Sequence, residues 1–333
     1  MIINTKNIVR VGTLVLLFIA GGNMTEVKAQ DPEFTQFYAN PLYLNPALAG
    51  SKRCPRIGLN YRNQWPNLTG SFVTSSASYD QFVDGLNGGI GFYAMSDNAA
   101  NTLKTTRAAF MYSYKIPLTR KFSINLAAEA AFFQKSIDVN KLTFGDMIDP
   151  RRGFVYQTSD IVPGNSVSNV DFSAGILGYT DVFYFGAAAH HLTEPNESLL
   201  GNQGDQNARL PMKITGHAGA MIPLNNTGGS YSKGNTFISP NILYRQQGTF
   251  TQLNMGLYIK SGALTYGVWY RNKDAFIATV GIETNNFRMG YSYDVTLSKL
   301  GIASGGSHEV SLGIVFPCKP KRKRYRTISC PSF

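Results

Sequence analysis

No stretch of this 333-residue sequence holds the roughly 18 uninterrupted apolar residues that a membrane-spanning helix needs. That excludes a helical membrane protein. Charge is also scarce. Asp, Glu, Lys and Arg make up 15% of the chain, against about 25% in an ordinary soluble domain. Only three cysteines occur, Cys54, Cys318 and Cys330, and none lies between residues 55 and 317. A disulfide framework through the fold is therefore excluded, and no Cys or His grouping has the spacing of a metal site. There is no G-x-S-x-G nucleophile motif. The glycine-rich pieces Gly88-Gly-Ile-Gly91 and Gly305-Gly306 lead into no helix carrying Lys-Ser/Thr, so they read as turns and crowded wall positions and not as phosphate loops. No cofactor, metal or small-molecule substrate is expected.

What is present begins with a leader. Lys6 and Arg10 precede an apolar run over 11–20, too short to cross a bilayer, and Val27-Lys28-Ala29 offers small residues at a cleavage point. A secretory signal peptide over 1–29, cut before Gln30, is the expectation; a retained anchor is the alternative. The net charge of +11 is concentrated at the end of the chain. Six of the positive charges sit in the tail, on Lys319, Lys321, Arg322, Lys323, Arg324 and Arg326, with no acid among them. A nucleic-acid surface would spread basic residues over the fold, so no nucleic acid is expected as a partner. The tail reads either as a solvated end or as a contact for an acidic or lipid-headgroup partner.

From Pro55 onward one pattern recurs. About ten residues alternate apolar with small or polar, and a turn follows. Leu264, Tyr266, Val268 and Tyr270 alternate with Thr265, Gly267, Trp269 and Arg271; Phe276, Ala278, Val280 and Ile282 alternate with Ile277, Thr279, Gly281 and Glu283. The remaining stretches of the second half, around 238–244, 253–260, 287–295 and 309–316, repeat the pattern. Strands in the first half are expected near 55–64, 72–82, 88–97, 104–116, 122–137, 170–179, 182–191 and 212–222. The total is fourteen, within a range of 12 to 16. Successive strand residues face opposite ways. One face is oily and aromatic, and the other holds Gly, Ser, Asn and a few charges. That suits a transmembrane antiparallel barrel with lipid outside and a crowded or watered lumen inside. A soluble sandwich would need charges on its outer face, and they are missing.

Connection lengths sort with this count. The long ones, 138–169, 192–211 and 297–307, are all odd-numbered, and the even ones are mostly tight, with 223–235 the exception. Bacterial barrels have short periplasmic turns and longer outer loops, so both barrel ends are expected in the periplasm. Cys54 and Cys318 would then flank the seam between first and last strands, where a bridge would pin it; free cysteines or a Cys318–Cys330 pair are the alternatives. His190, His191 and His308 fall at the loop rim and are the only candidates for catalysis. Since neighbours on a strand face opposite ways, one of His190 and His191 at most is expected to point inward.

The mature chain opens on "QDPEFTQFYANPLYLNPALAGS", residues 30–51. Asn40-Pro41 and Asn45-Pro46 can each start a helical turn, with Asn as cap and Pro in first position, and Gly50 can end one. So stiff and aromatic a piece needs a surface to cover. It is expected to be a plug or lip over 30–53, at the periplasmic mouth or in the lumen, before the barrel of 54–316 and the basic periplasmic tail of 317–333.

This opening resembles the signature of the PorP/SprF family, outer-membrane proteins of the type IX secretion and gliding machinery of Bacteroidetes. It carries Asp31, Pro32, Phe34, Asn40, Pro41, Asn45, Pro46 and Gly50. Further matches follow in "YRNQWP" with Gln64 and Trp65, "YSYKIPL", "YRNKDAF", "RMGYSYDVTLSKL" with Tyr291, Tyr293 and Asp294, and "GSHEVSLGIVF" with His308 and Glu309. The resemblance implies a non-enzymatic outer-membrane component that helps export or retain cargo such as adhesins. Its implied partners are outer-membrane lipid, the periplasmic ring, the translocon and the cargo. No catalytic residue is implied. The alternative reading is a small-solute porin or a channel for hydrophobic substrates.

Overall fold

Period-two alternation over long stretches leaves the chain one way to hide its backbone polar groups in lipid: strand beside strand, closed on itself. The computed structural model describes residues 30–68, 70–149, 151–156, 158, 164–199, 208–224, 236–297 and 304–317. Among them, fourteen long strands form one antiparallel sheet in chain order. They are β1 (Arg56–Gln64), β2 (Phe72–Val83), β3 (Gly88–Ala99), β4 (Leu103–Pro117), β5 (Ser123–Ile137), β6 (Ser166–Tyr179) and β7 (Phe183–His190). β8 (Lys213–Ala220), β9 (Thr236–Gln247), β10 (Phe250–Ser261), β11 (Leu264–Arg271), β12 (Ala275–Glu283), β13 (Phe287–Thr296) and β14 (Ser307–Val315) complete it. The ring closes where β14 pairs with β1, Val315 opposite Arg56 and Ser307 opposite Gln64.

Oily side chains point out. Leu59, Tyr61, Phe110, Phe132, Val268 and Phe276 are all exposed. Their strand neighbours point in and are buried, among them Asn60, Arg62, Met111, Phe133, Trp269 and Ile277. This reverses the arrangement of a soluble protein and defines an outer-membrane barrel.

The two mouths differ. At one, which we call the turn mouth, β2–β3, β4–β5, β6–β7, β10–β11 and β12–β13 join by tight turns, and the barrel both begins and ends: the Phe316 amide donates to the Pro55 carbonyl over 2.9 Å. The loop mouth carries the long connections after β5, β7 and β13. The connection after β8 is long at the turn mouth, and 225–235 within it lie outside the described residues. After β5 a small rung pairs Ile148–Asp149 with Gly153–Phe154, which the pattern did not suggest. β6 starts at Ser166, earlier than expected. Ser166, Ser168 and Asn169 lack the apolar alternation of a strand, yet they pair with Ser136, Gln134 and Phe133 of the long β5.

A cation on the lipid face at mid-membrane costs about 2–4 kcal/mol. Val268 is 64% exposed on that face. Val268→Arg is expected to lower the free energy of refolding into lipid vesicles by about that amount, read from denaturant titration, while Val268→Leu leaves it unchanged.

Candidate functional site

Residues 30–53 run through the lumen of the barrel. The local structure follows from the two Asn-Pro pairs. Pro41 opens a one-turn helix, α1 (Pro41–Leu44), and Pro46 a 3-10 turn, Pro46–Leu48. Asn45 caps the second, its Oδ1 accepting from the Ala47 amide over 2.9 Å. Asn40 does not cap the first; its Nδ2 donates instead to Ser76 Oγ on β2. Gly50 ends the passage in a left-handed conformation, φ +66°. A Cβ there would sit 2.5 Å from Cα of Gly89, and one on Gly89 would sit 2.1 Å from the Ala49 carbonyl oxygen. Only a glycine pair lets this segment lie so close to β3.

So little helix leaves the segment's own amides and carbonyls short of partners, and such groups are costly to leave bare away from water. Wall side chains supply them. The Leu44 carbonyl accepts from Thr215 Oγ1 at 3.2 Å, and the Ala47 carbonyl from Asn125 Nδ2 at 3.1 Å and Ser113 Oγ at 3.3 Å. Asn45 Nδ2 donates to the Ile176 carbonyl at 3.0 Å and reaches His217 Nε2 at 3.2 Å. The aromatic residues fill the rest. Phe37 packs edge-on against Trp269, Tyr43 stacks on Tyr93, and Phe34 meets Tyr43 edge-on. Phe37, Leu44, Ala47 and Leu48 share one apolar cluster with Leu177, Tyr184 and Leu243; Phe34, Leu42 and Ala49 share another with Met95 and Met111.

Two ionic clusters hold the front of the segment at the loop mouth. In the first, Asp31 pairs with Lys213 Nζ and, at 2.8 Å, with His191 Nε2; His191 Nδ1 lies 2.7 Å from Asp171. Arg107 joins Asp171 to Glu129. In the second, Glu33 meets Arg245 at 3.1 Å and Arg271 at 3.9 Å, and accepts from Gln252 Nε2 at 3.0 Å. Arg62 bridges Asp294 and Glu309. Glu309 accepts the Thr35 amide at 2.5 Å and the Gln36 amide at 3.0 Å, and Thr35 Oγ1 donates to Asp294 at 2.7 Å.

These contacts fix a direction. Lys213 opens β8, and it pairs with His190 and Gln247, the last residues of β7 and β9. All three lie at the loop mouth. Asp31 is therefore at the loop mouth, and Arg53, bonded to Asp84 in the β2–β3 turn, is at the other. The segment threads the barrel from end to end. Of the two placements expected for 30–53 it takes the lumen, and its start lies at the mouth opposite the end of β14, where both terminal segments had been expected at one mouth. The even strand count governs where β1 begins and β14 ends; it says nothing of the chain before β1, whose carboxylates are drawn to cations at the far mouth.

The signature residues divide. Asp31, Phe34, Asn40, Asn45, Asp294 and Glu309 take part in seating the segment, and the Pro32 carbonyl accepts from Tyr43 OH at 2.6 Å. Gln64 and Trp65 sit at the loop rim, the Trp65 amide donating to the Gly306 carbonyl. Tyr291, Tyr293 and His308 are on the outer face, where Tyr291 OH lies 2.8 Å from His308 Nδ1. Cys54 is disulfide-bonded, to a partner outside the described residues; Cys318 and the basic residues from Lys319 to Arg326 also lie outside them.

His190 and His191 are both buried, against expectation. β7 stops at His190, and His191 takes φ +59°, so the alternation breaks and both rings turn inward. His190 Nε2 faces the Leu44 carbonyl. His191 lies between two carboxylates, and no nucleophile is among its hydrogen-bond partners. Among the described residues no group of three or more Cys, His, Asp or Glu is placed to hold a metal.

Arg62, Arg107, Glu129, Asp171, Lys213, Arg245 and Arg271 are not among the site residues expected from the sequence. Their signal was available: charges inside strands that must cross a membrane face an interior and need partners there.

A cylinder with an oily exterior and a lumen filled by its own preceding segment is a plugged outer-membrane barrel. Residues 26–314 match the family described as type IX secretion system membrane protein PorP/SprF, and the chain belongs to that family. Among curated proteins, no sequence matches it. Solved structures similar to it include the toluene transporter TbuX of Ralstonia pickettii, 13% identical over 83% of this chain and 93% of that one, with a TM-score of 0.47. A mutant of the monoaromatic hydrocarbon channel TodX is 12% identical over 82% and 92%, TM-score 0.45. A FadL homologue of Pseudomonas aeruginosa is 11% identical over 82% and 92%, TM-score 0.43.

Two outcomes follow from the clusters. Glu309→Gln removes one of the two acceptors used by the Thr35 and Gln36 amides, and the charge facing Arg62. Hydrogen bonds to charged groups contribute about 1.5–3 kcal/mol, so hydrogen exchange at those two amides is expected to speed up accordingly. The second concerns pH. Burial alone would lower the pKa of His191, just beyond β7, but the Asp31 charge and hydrogen bonds to Asp171 and Asp31 outweigh it and raise it. The stability this adds is complete below about pH 6.5, the ordinary histidine value, and is lost as pH rises through the raised folded value. Protection of residues 31–36 is expected to fall with rising pH, and His191→Gln to remove that dependence.

Proposed function

We propose that the protein is a non-enzymatic outer-membrane component of type IX secretion that supports export or surface attachment of specific cargo. Family membership and a lumen filled from within support this reading. A barrel stoppered by its own chain is suited to docking and poorly suited to steady passage of solutes. The long loops after β5, β7 and β13 face outward and meet cargo. The turn mouth, Cys54 and the tail of 317–333 face the periplasm and meet the ring and translocon, with a Cys54–Cys318 bridge at the seam. On this orientation residue 30 lies beside the outer loops. Of the predicted periplasmic contacts, the tail remains, while the buried residues of the plug have no face to offer a periplasmic partner.

Deleting the gene is expected to remove particular adhesins from the cell surface while other type IX cargo is still exported; unchanged surface cargo would overturn the reading. On intact cells, a short epitope after residue 30 and one in the loop near residue 152 are expected to bind antibody, and one in the β4–β5 turn is not.

A further inference from the structure

A cavity of about 510 Å³ lies against the outer face of β3–β6 at the loop mouth, far larger than the glycine-lined space of about 110 Å³ at the turn mouth. It falls within the roughly 300–1,000 Å³ of small-ligand clefts. None of the residues that seat the plug lines it.

The wall behind it changes character in one step. Cross-strand pairing sets the outward side chains in rungs. Ala94, Ala108, Phe132 and Val170 form the last apolar rung, with Phe110 and Phe172 in the rung below it. The next rung toward the loops is polar throughout: Ser96, Thr106, Gln134 and Ser168. So is the one after it: Asn98, Lys104, Ser136 and Ser166. On the far side of the barrel apolar residues run to the rim, where Tyr270, Phe276 and Val295 form the last outward rung. The polar face comes with longer strands, 15 residues in β4 and β5 against 8 in β11.

The chain leaving β5 forms the rim of the cavity. The Asp138 amide donates to the Thr102 carbonyl, and Lys141 Nζ to the Asn101 carbonyl, each over 2.9 Å. Among the described residues, the side chains of Asn98, Gln134 and Asn165 make no hydrogen bond and Lys104 makes no ion pair. A side-chain amide offers two donors beside an acceptor, which matches neighbouring hydroxyls. An ammonium matches a phosphate.

We propose that this face binds the phosphorylated sugar headgroup of an outer-leaflet glycolipid, whose acyl chains lie on Phe110, Phe132, Val170 and Phe172. The proposal rests on the orientation given above, which puts the loop mouth outside. Height favours a sugar head over a phospholipid one. From Phe132 to Ser136 the strand rises about 13 Å, or about 10 Å above the lipid line at the usual tilt of about 40°. A phospholipid head region is about 5–8 Å deep, and the upper polar rung stands above it.

Native mass spectrometry of the full-length protein in detergent, titrated with rough lipopolysaccharide, tests this. One glycolipid is expected to be retained saturably. Lys104→Glu and, as a second variant, Gln134→Leu are each expected to weaken retention about tenfold or more, as loss of a charge-assisted or paired hydrogen bond would. The heat-modifiable gel shift shows each variant to be folded. Phosphatidylglycerol is expected not to displace the glycolipid, and the deacylated core oligosaccharide to bind more weakly than the whole molecule. No retention, or equal retention in wild type and both folded variants, would overturn the proposal. So would displacement by phosphatidylglycerol, which would leave charge alone as the attraction, or an oligosaccharide binding as tightly as the glycolipid, which would assign the site to a soluble glycan. The measurement uses isolated protein and is independent of cargo and orientation; failure of the antibody test on intact cells would overturn the orientation by itself.

Discussion

Polar groups inside a lipid-embedded cylinder have to find partners inside it. Here the wall turns Arg62, Arg107, Lys213, Arg245 and Arg271 into the lumen, and its own carboxylates Glu129, Asp171, Asp294 and Glu309 meet only part of that charge. The remainder is met by Asp31 and Glu33, which belong to no strand. Removing one partner of a buried pair costs more than the pair itself contributes. The plug is therefore required by the wall as much as the wall by the plug.

That mutual need explains the shape of the segment. Its front is extended and acidic, because it must reach cations at the loop mouth. Its middle is aromatic, because the inward rings Tyr93, Tyr184, Tyr258 and Trp269 leave gaps that only large side chains fill. Its end is Gly50, because the chain must pass β3 at backbone distance before entering β1. The same ordering sets the two mouths apart. One holds the ionic clusters and the long loops after β5, β7 and β13; the other holds the start of β1 and the end of β14, the bonded Cys54 and a glycine-lined cavity.

Much of this was legible in the sequence, for a physical reason. Lipid outside and a packed lumen inside impose a strict period of two, so β11–β14 could be placed within two residues, and loop lengths sorted by mouth with the connection after β8 as the exception. The Asn-Pro turns and their aromatic neighbours marked a segment needing a surface. What stayed hidden was whatever depends on pairing across the lumen. Asp31 is 160 residues from His191 and 182 from Lys213, and nothing local says which mouth it will reach. The inward turn of both His190 and His191 rests on a single left-handed residue. Ser166–Asn169 looked like loop, because their strand character comes from β5 and not from their own side chains.

The account rests on carboxylates of the plug holding it in the lumen against wall cations, and single-channel recording tests that most directly. Wild-type protein in a planar bilayer near neutral pH is predicted to pass no steady current, and Asp31→Lys with Glu33→Lys, which repels those cations, is predicted to give a steadily conducting barrel. A wild-type channel that conducts as fully as the double variant would contradict it.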